Sequence, residues 1–135
     1  MPITVKERLE EEIKNSQSNV FVRKEFEYLG NARQINRALA QLIEQGLVMR
    51  AGYGVYVRTR KSSLSEKMVP TIPLLNVGLE ALKKLGIQAD VGSAFKALRE
   101  GRSTQVPMAT VINVGKSRIR RTIALGSRKI VYETN

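Results

Sequence analysis

Arg33 and Arg37 stand one helical turn apart, with the amides of Gln34 and Asn36 between them and that of Gln41 one turn further on. Guanidinium groups at this spacing can donate to guanine edges or straddle phosphates, and amides can read adenine. Bond-breaking chemistry has far less to work with. The chain contains no histidine and no cysteine, which removes the usual general base, the commonest metal ligand and any thiolate nucleophile. Ser103 therefore has no histidine to activate it, and STQ (residues 103–105) reads as a polar turn bonding to its own backbone. The carboxylates Glu7, Glu10, Glu11 and Glu12 crowd one helix as a solvated face. Gly52 and Gly54 read as turn geometry, since no glycine-rich run precedes a Lys-Ser/Thr pair. The expectation is a binding protein with no catalytic residue, no metal and no cofactor.

The elements that position these donors occupy residues 30–60, GNARQINRALAQLIEQGLVMRAGYGVYVRTR. Gly30 is expected to close a preceding short helix in the left-handed C′ conformation. Asn31 reads as the N-cap of the next helix, and Gln34 three residues on completes a capping box. Ile35, Ala38, Leu39, Leu42 and Ile43 recur at helical spacing and form the inward face. Arg33, Arg37, Ala40 and Glu44 face outward, flanked by Asn36 and Gln41. Gly46 stops the helix. LVMR (47–50) and VYVR (55–58) are short β-rich runs around AGYG, whose glycines suit a turn. Helix, helix, β-hairpin is the layout of a winged helix-turn-helix. On it, Asn31 and the helix start can hold a phosphate, and Arg50, Arg58, Arg60 and Lys61 flank the wing. Tyr53 at the tip either enters a minor groove, stacks on sugar or packs on the wing itself. Most of these contacts would go to phosphate, setting register and affinity but not sequence.

The charge is unevenly placed. The 135 residues carry 23 basic and 12 acidic side chains, net +11, an excess that points to nucleic acid first and anionic membrane second. Residues 1–46 hold seven of each sign, residues 47–67 five basic against one acidic, and residues 102–135 seven against one. A second basic patch is expected from Arg102, Lys116, Arg118, Arg120, Arg128 and Lys129. Three readings of it stay open: a solvated sheet face, a second DNA contact, or a dock for an acidic partner. The N-terminus lacks the apolar core of a signal peptide, and no run approaches the ~18 apolar residues of a membrane span, so a cytoplasmic protein is expected.

Around this centre, Thr4 and Glu7 form a capping box opening a helix with Val5, Leu9 and Ile13 inward. VFV (20–22) reads as a strand pairing with the hairpin, and RKEFEYL (23–29) as a short helix burying Phe26 and Leu29. Residues 62–72 read as a linker leading into Pro73. Beyond it, Leu75, Leu79 and Leu82 mark one helix face stopped by Gly86, and SAFKALRE (93–100) a second helix closed by Gly101. Three strands follow: VPMATVINV (106–114), RIRRTIAL (118–125) and KIVYET (129–134). Gly115-Lys116 and Gly126-Ser127 are their expected type II′ turns. Arg121 breaks the alternation on the apolar side of the second strand. The fold class is thus α+β: a winged helix-turn-helix over 1–61, a linker over 62–72, and an α/β interaction domain over 73–135 with a small helical segment and a three-stranded antiparallel sheet.

The order of elements, the wing ending GVYVR, and STQVP (103–107) before a basic β-tail resemble the AbiEi-type antitoxin-like transcriptional regulators of bacterial type IV toxin–antitoxin systems. The resemblance spans nearly the whole chain. It implies an N-terminal winged helix that binds double-stranded DNA at its own promoter and represses its operon. It also implies a C-terminal domain linked to neutralising a nucleotidyltransferase-like toxin. A single winged helix covers little DNA, so a homodimer on a repeated site is expected. The alternative is a protein-interaction module in which the basic C-terminal sheet binds the partner and DNA affinity is incidental.

Overall fold

The computed structural model describes residues 4–135; residues 1–3 of the first expected domain lie outside it. The described chain is mixed α+β, with four α-helices, one 3-10 helix and two four-stranded sheets. It divides into two units. One comprises Met1–Arg50 with Gly54–Thr71, the other Ala51–Tyr53 with Ile72–Asn135.

The first unit opens on α1 (Val5–Asn15), where the Thr4 hydroxyl accepts from the Glu7 N–H at 3.1 Å. Strand β1 (Val20–Val22) leads into the 3-10 helix (Arg23–Leu29) and then α2 (Ala32–Glu44). The hairpin strands β2 (Val48–Gly52) and β3 (Val55–Lys61) follow, and β4 (Met68–Pro70) completes the sheet. Both β1 and β2 lie beside β3, and β4 pairs antiparallel with the far end of β3. The core is Leu9 and Ile13 from α1, Phe21, Phe26 and Leu29, then Ile35, Ala38, Leu39 and Leu42 from α2, closed by Val48 and Tyr56. Each large apolar side chain so buried stabilises the fold by about 1.5–3 kcal/mol relative to exposure. The stripe expected on α2 is therefore its buried face, except that Ile43 sits at the rim and stays 37% exposed.

Two expectations fail in this unit. Gly30 is extended (φ 174°) rather than left-handed. The site is tight: an added Cβ would meet Gln34 Oε1 at 2.7 Å and Val5 Cγ2 at 3.0 Å, so the Gln34 side chain of the capping box would have to shift. Residues 62–72 are also not a bare linker. Met68–Pro70 form β4, and the Thr71 N–H donates to the Arg58 carbonyl at 2.9 Å. Pro70 is tolerated because β4 is an edge strand.

The second unit contains α3 (Leu74–Lys84), β5 (Asp90–Val91), α4 (Ser93–Arg99), β6 (Thr110–Asn113), β7 (Ala124–Leu125) and β8 (Arg128–Glu133). Its sheet runs β5-β6-β8-β7, with β6 and β8 parallel and the outer pairs antiparallel. This corrects the three-stranded antiparallel tail. Parallel neighbours need a crossover between them, so Gly115 begins a connection and not a hairpin. Only Gly126-Ser127 joins two paired strands directly. Most of 118–123 serves in that crossover and forms no strand, Ile123 making a single bridge to Gly52. The expected strand over 106–114 shrinks to Thr110–Asn113, with Val106 74% and Met108 99% exposed. On α3 the buried residues are Leu74, Val77, Gly78, Ala81 and Leu82, while Leu75 and Leu79 are only half-buried. The cause is Gly78, whose bare backbone lies against the Ile112 and Ile130 side chains.

Candidate nucleic-acid interface

In α2 the cap and the outward face are built together. Asn31 Oδ1 accepts from the Gln34 N–H at 2.9 Å, and Gln34 Oε1 accepts from the Asn31 N–H at 3.0 Å. Both side chains are thereby ordered at the helix start, where backbone N–H groups favour an anion. With Ile35, Ala38, Leu39 and Leu42 turned inward, Arg33, Asn36, Arg37 and Gln41 are all exposed. Among the described residues, neither Arg33 nor Arg37 has an ion-pair partner.

Arg23, which carries no signal of its own in the sequence, belongs to this face. Its Nε donates to Asn36 Oδ1 at 3.0 Å and its Nη2 to the Ala32 carbonyl at 3.4 Å, while Nη1 lies 3.8 Å from Glu27 Oε1. Only folding brings positions 23 and 36 together.

The hairpin residues separate into two groups. Arg50, Arg60 and Lys61 are exposed on β2 and β3. Lys61 pairs with Glu66 at 2.8 Å, an exposed contact of small energetic weight. Arg60 Nη1 reaches the Lys61 carbonyl at 3.4 Å. Arg58 is a different case. Its Nη2 donates to the carbonyls of Ile13, Ser16 and Ser18 at 2.7, 2.8 and 3.0 Å, and its guanidinium lies 5.5 Å from the Phe21 ring centroid. That guanidinium is committed to the end of α1, which takes Arg58 out of the expected contact set.

In the second unit, Tyr53 is 77% exposed and its carbonyl accepts from Arg121 Nη1. The Arg121 carbonyl in turn accepts from the Tyr132 hydroxyl at 2.7 Å, and burial pushes that phenol above its usual range. Arg121 lies in the crossover, outside any strand, so the expected alternation does not apply to it, and both its ends are hydrogen-bonded. The second basic set is dispersed over different elements. Lys116 lies in the turn after β6, Arg118 and Arg120 in the crossover, and Arg128 and Lys129 on β8. Arg102 pairs with Glu100 at 3.0 Å. All six are exposed.

Two carboxylates of this unit are held below the usual range. The Asn113 amide, followed by the hydroxyl and N–H of Ser93, depresses Glu133, with distances of 2.9, 2.8 and 3.0 Å. The Val91 N–H at 2.7 Å does the same for Asp90, helped by Lys96. An apolar groove of about 220 Å³ opens beside Glu133, lined by Leu75, Phe95, Leu98, Val106 and Val111 among others. The apolar run at 106–109, left outside the sheet, is the sequence signal for it.

No helix among the described residues is long and apolar enough to cross a membrane. No curated protein matches the chain. A family model described as a family of unknown function (DUF6088) matches residues 8–135, and the chain belongs to that family.

Proposed function

We propose that this chain is a sequence-specific DNA-binding regulator of the antitoxin-like kind, acting in the cytoplasm and repressing its own operon. On this reading the 3-10 helix and α2 form the helix-turn-helix, α2 is the recognition helix, and β2 with β3 is the wing. One observation carries it: Arg33 and Arg37 share the solvent face of a capped helix with Asn36 and Gln41, and no carboxylate among the described residues neutralises either guanidinium. A solvated helix face ordinarily interleaves both signs. Here Glu44, at the far end of α2, is the helix's lone acid. Asn31 and Gln34 at the helix start, and Arg50, Arg60 and Lys61 on the wing, supply the phosphate contacts that set register. Two copies on a repeated or palindromic site would supply the remaining area.

The deciding experiment is binding to the DNA upstream of its own gene against a scrambled duplex, at about 150 mM salt. A preference of ~10³-fold or more supports the regulator. Equal, salt-sensitive binding to both assigns the charge to generic polyanion affinity and rules the reading out.

A second reading rests on the groove. Phe95, Val106 and Met108 are exposed apolar side chains in or beside it, an arrangement typical of protein contacts. This reading makes the C-terminal unit the site that binds a nucleotidyltransferase-like toxin. Co-purification with the product of a neighbouring gene of that class, abolished by Phe95→Asp, would support it.

A further inference from the structure

The donors on α2 are more restricted than their residue types suggest. A guanidinium carries N–H donors and no acceptor. The Asn36 atom that meets Arg23 Nε at 3.0 Å is therefore the amide oxygen, and Nδ2 is the atom turned away. The Arg23 side chain is only 25% exposed, and its other contacts, to the Ala32 carbonyl and Glu27, brace it from two elements. Gln34 is limited in the same way, because its Oε1 is engaged by the Asn31 N–H. Arg33 and Arg37 have no acceptor to offer. Across its first two turns, the exposed face of α2 thus presents donors, with both amide oxygens already bonded.

That pattern selects among bases. In the major groove guanine shows two acceptors, N7 and O6, whereas adenine shows one acceptor and the N6 amino donor. An asparagine reads adenine by accepting from N6 with its oxygen while donating to N7. Arg23 takes one of the two lone pairs of Oδ1 and draws the oxygen toward itself, which weakens that pairing, while Nδ2 is matched to an acceptor edge. We infer that the N-terminal half of α2 reads guanine rather than adenine, and that Arg23 is the positioning residue that enforces this by holding the Asn36 oxygen away from the groove. The inference rests on the DNA-binding reading above and names the base class that reading leaves open.

The test is selection from a randomised duplex library with the full chain, comparing wild type, Asn36→Ala, Arg23→Leu and Arg23→Lys. Asn36→Ala identifies the base position that Asn36 faces, as the one whose preference it erases. Wild type is expected to enrich guanine there. Both Arg23 variants are expected to shift the adenine-to-guanine ratio at that position by about tenfold toward adenine, within the range one base contact controls, and to leave other positions unchanged. Arg23→Lys keeps the charge, so a loss of bulk electrostatics does not produce the shift; a single ammonium cannot span Ala32, Asn36 and Glu27 as the guanidinium fork does. Circular dichroism and thermal melting verify that each variant is folded. A wild-type motif with adenine at that position, or a motif unchanged in both folded Arg23 variants, overturns the inference while leaving the regulator reading standing. A wild type that enriches no motif overturns both.

Discussion

Arg58 reaches back 45 positions along the chain to donate, through Nη2 at 2.7 Å, to the carbonyl of Ile13 in the last turn of α1. The same nitrogen serves Ser16 and Ser18, so one β3 side chain gathers the carbonyls of a helix end and the loop beyond it. A cation at a helix C-terminus is favoured by the macrodipole as well as by these bonds. Arg58→Ala is expected to cost about 2–3 kcal/mol, the range for removing charge-assisted bonds from partly buried acceptors. Arg58→Lys should recover part of that, since an ammonium keeps the charge but reaches fewer of the carbonyls. Urea denaturation midpoints measure both. A loss below ~0.5 kcal/mol, the size of an ordinary surface change, would return Arg58 to the solvent-facing set.

Gly78→Ala provides a test of the second core. At an exposed helix position this change gains up to about 1 kcal/mol from backbone entropy. Here the new methyl would run into Ile130 and Ile112, which are 6% and 0% exposed. Overpacking of this kind costs about 1–3 kcal/mol, so the net sign is expected to be destabilising. Ile130→Val removes the nearer of the two crowding Cδ1 atoms and leaves that of Ile112, so it should rescue Gly78→Ala only in part in the double variant, measured by thermal melting. A stabilised single variant would mean that both isoleucines have other rotamers open to them.

These residues show which parts of the molecule were legible in the sequence. The capped α2 was, because Asn31, Gln34 and the Ile35–Leu42 spacing act within a few residues of one another. The 3-10 helix and β1 were legible for the same reason. Arg58 was not: VYVR reads as an outward basic residue on a strand, and its acceptors are carbonyls that any sequence possesses. Nor was Arg23, whose partner lies 13 positions away. The parallel pairing of β6 with β8 failed for a related reason. Gly115-Lys116 has the composition of a hairpin turn, and turn chemistry says nothing of which strand the chain meets next. The α3 stripe was misjudged because leucine outweighs glycine in any hydropathy pattern, although glycine permits the closest approach.

Glu133 links stability to pH. Asn113 and Ser93 bond its charged form and hold its carboxyl below the ordinary value of 4.5. A carboxyl depressed on folding contributes stability that is fully present above its unfolded value, and loses it as pH falls through the folded one. Glu133→Gln should therefore destabilise the protein at pH 7 and become indistinguishable from wild type once pH has dropped well below 4.5. The Ser93 N–H lies at the start of α4, whose N-cap Gly92 has no side chain to bond it. Amide exchange at Ser93 should accelerate in the variant at neutral pH. Equal denaturation midpoints across the whole pH range would mean that Glu133 does not cap α4.

Pairs of arginines separate reading from holding. Arg33→Ala with Arg37→Ala removes two exposed side chains from α2 and leaves its inward face intact, so the fold is expected to survive; alanine is also the better helix former. If these guanidiniums meet base edges, each substitution reduces discrimination between the natural site and a scrambled one by about 1–3 kcal/mol. The salt dependence should then change little. Arg50→Gln with Arg60→Gln acts on the β2–β3 hairpin, where the proposed reading puts phosphate contacts. That pair should weaken binding to both duplexes alike and flatten the plot of log affinity against log salt by ~0.9 for each phosphate no longer neutralised. Titrations of both duplexes at three salt concentrations resolve the two patterns. If the α2 pair flattens the slope and spares discrimination, α2 holds the backbone and the reading surface lies elsewhere. If neither pair changes anything, DNA is not the ligand of this face.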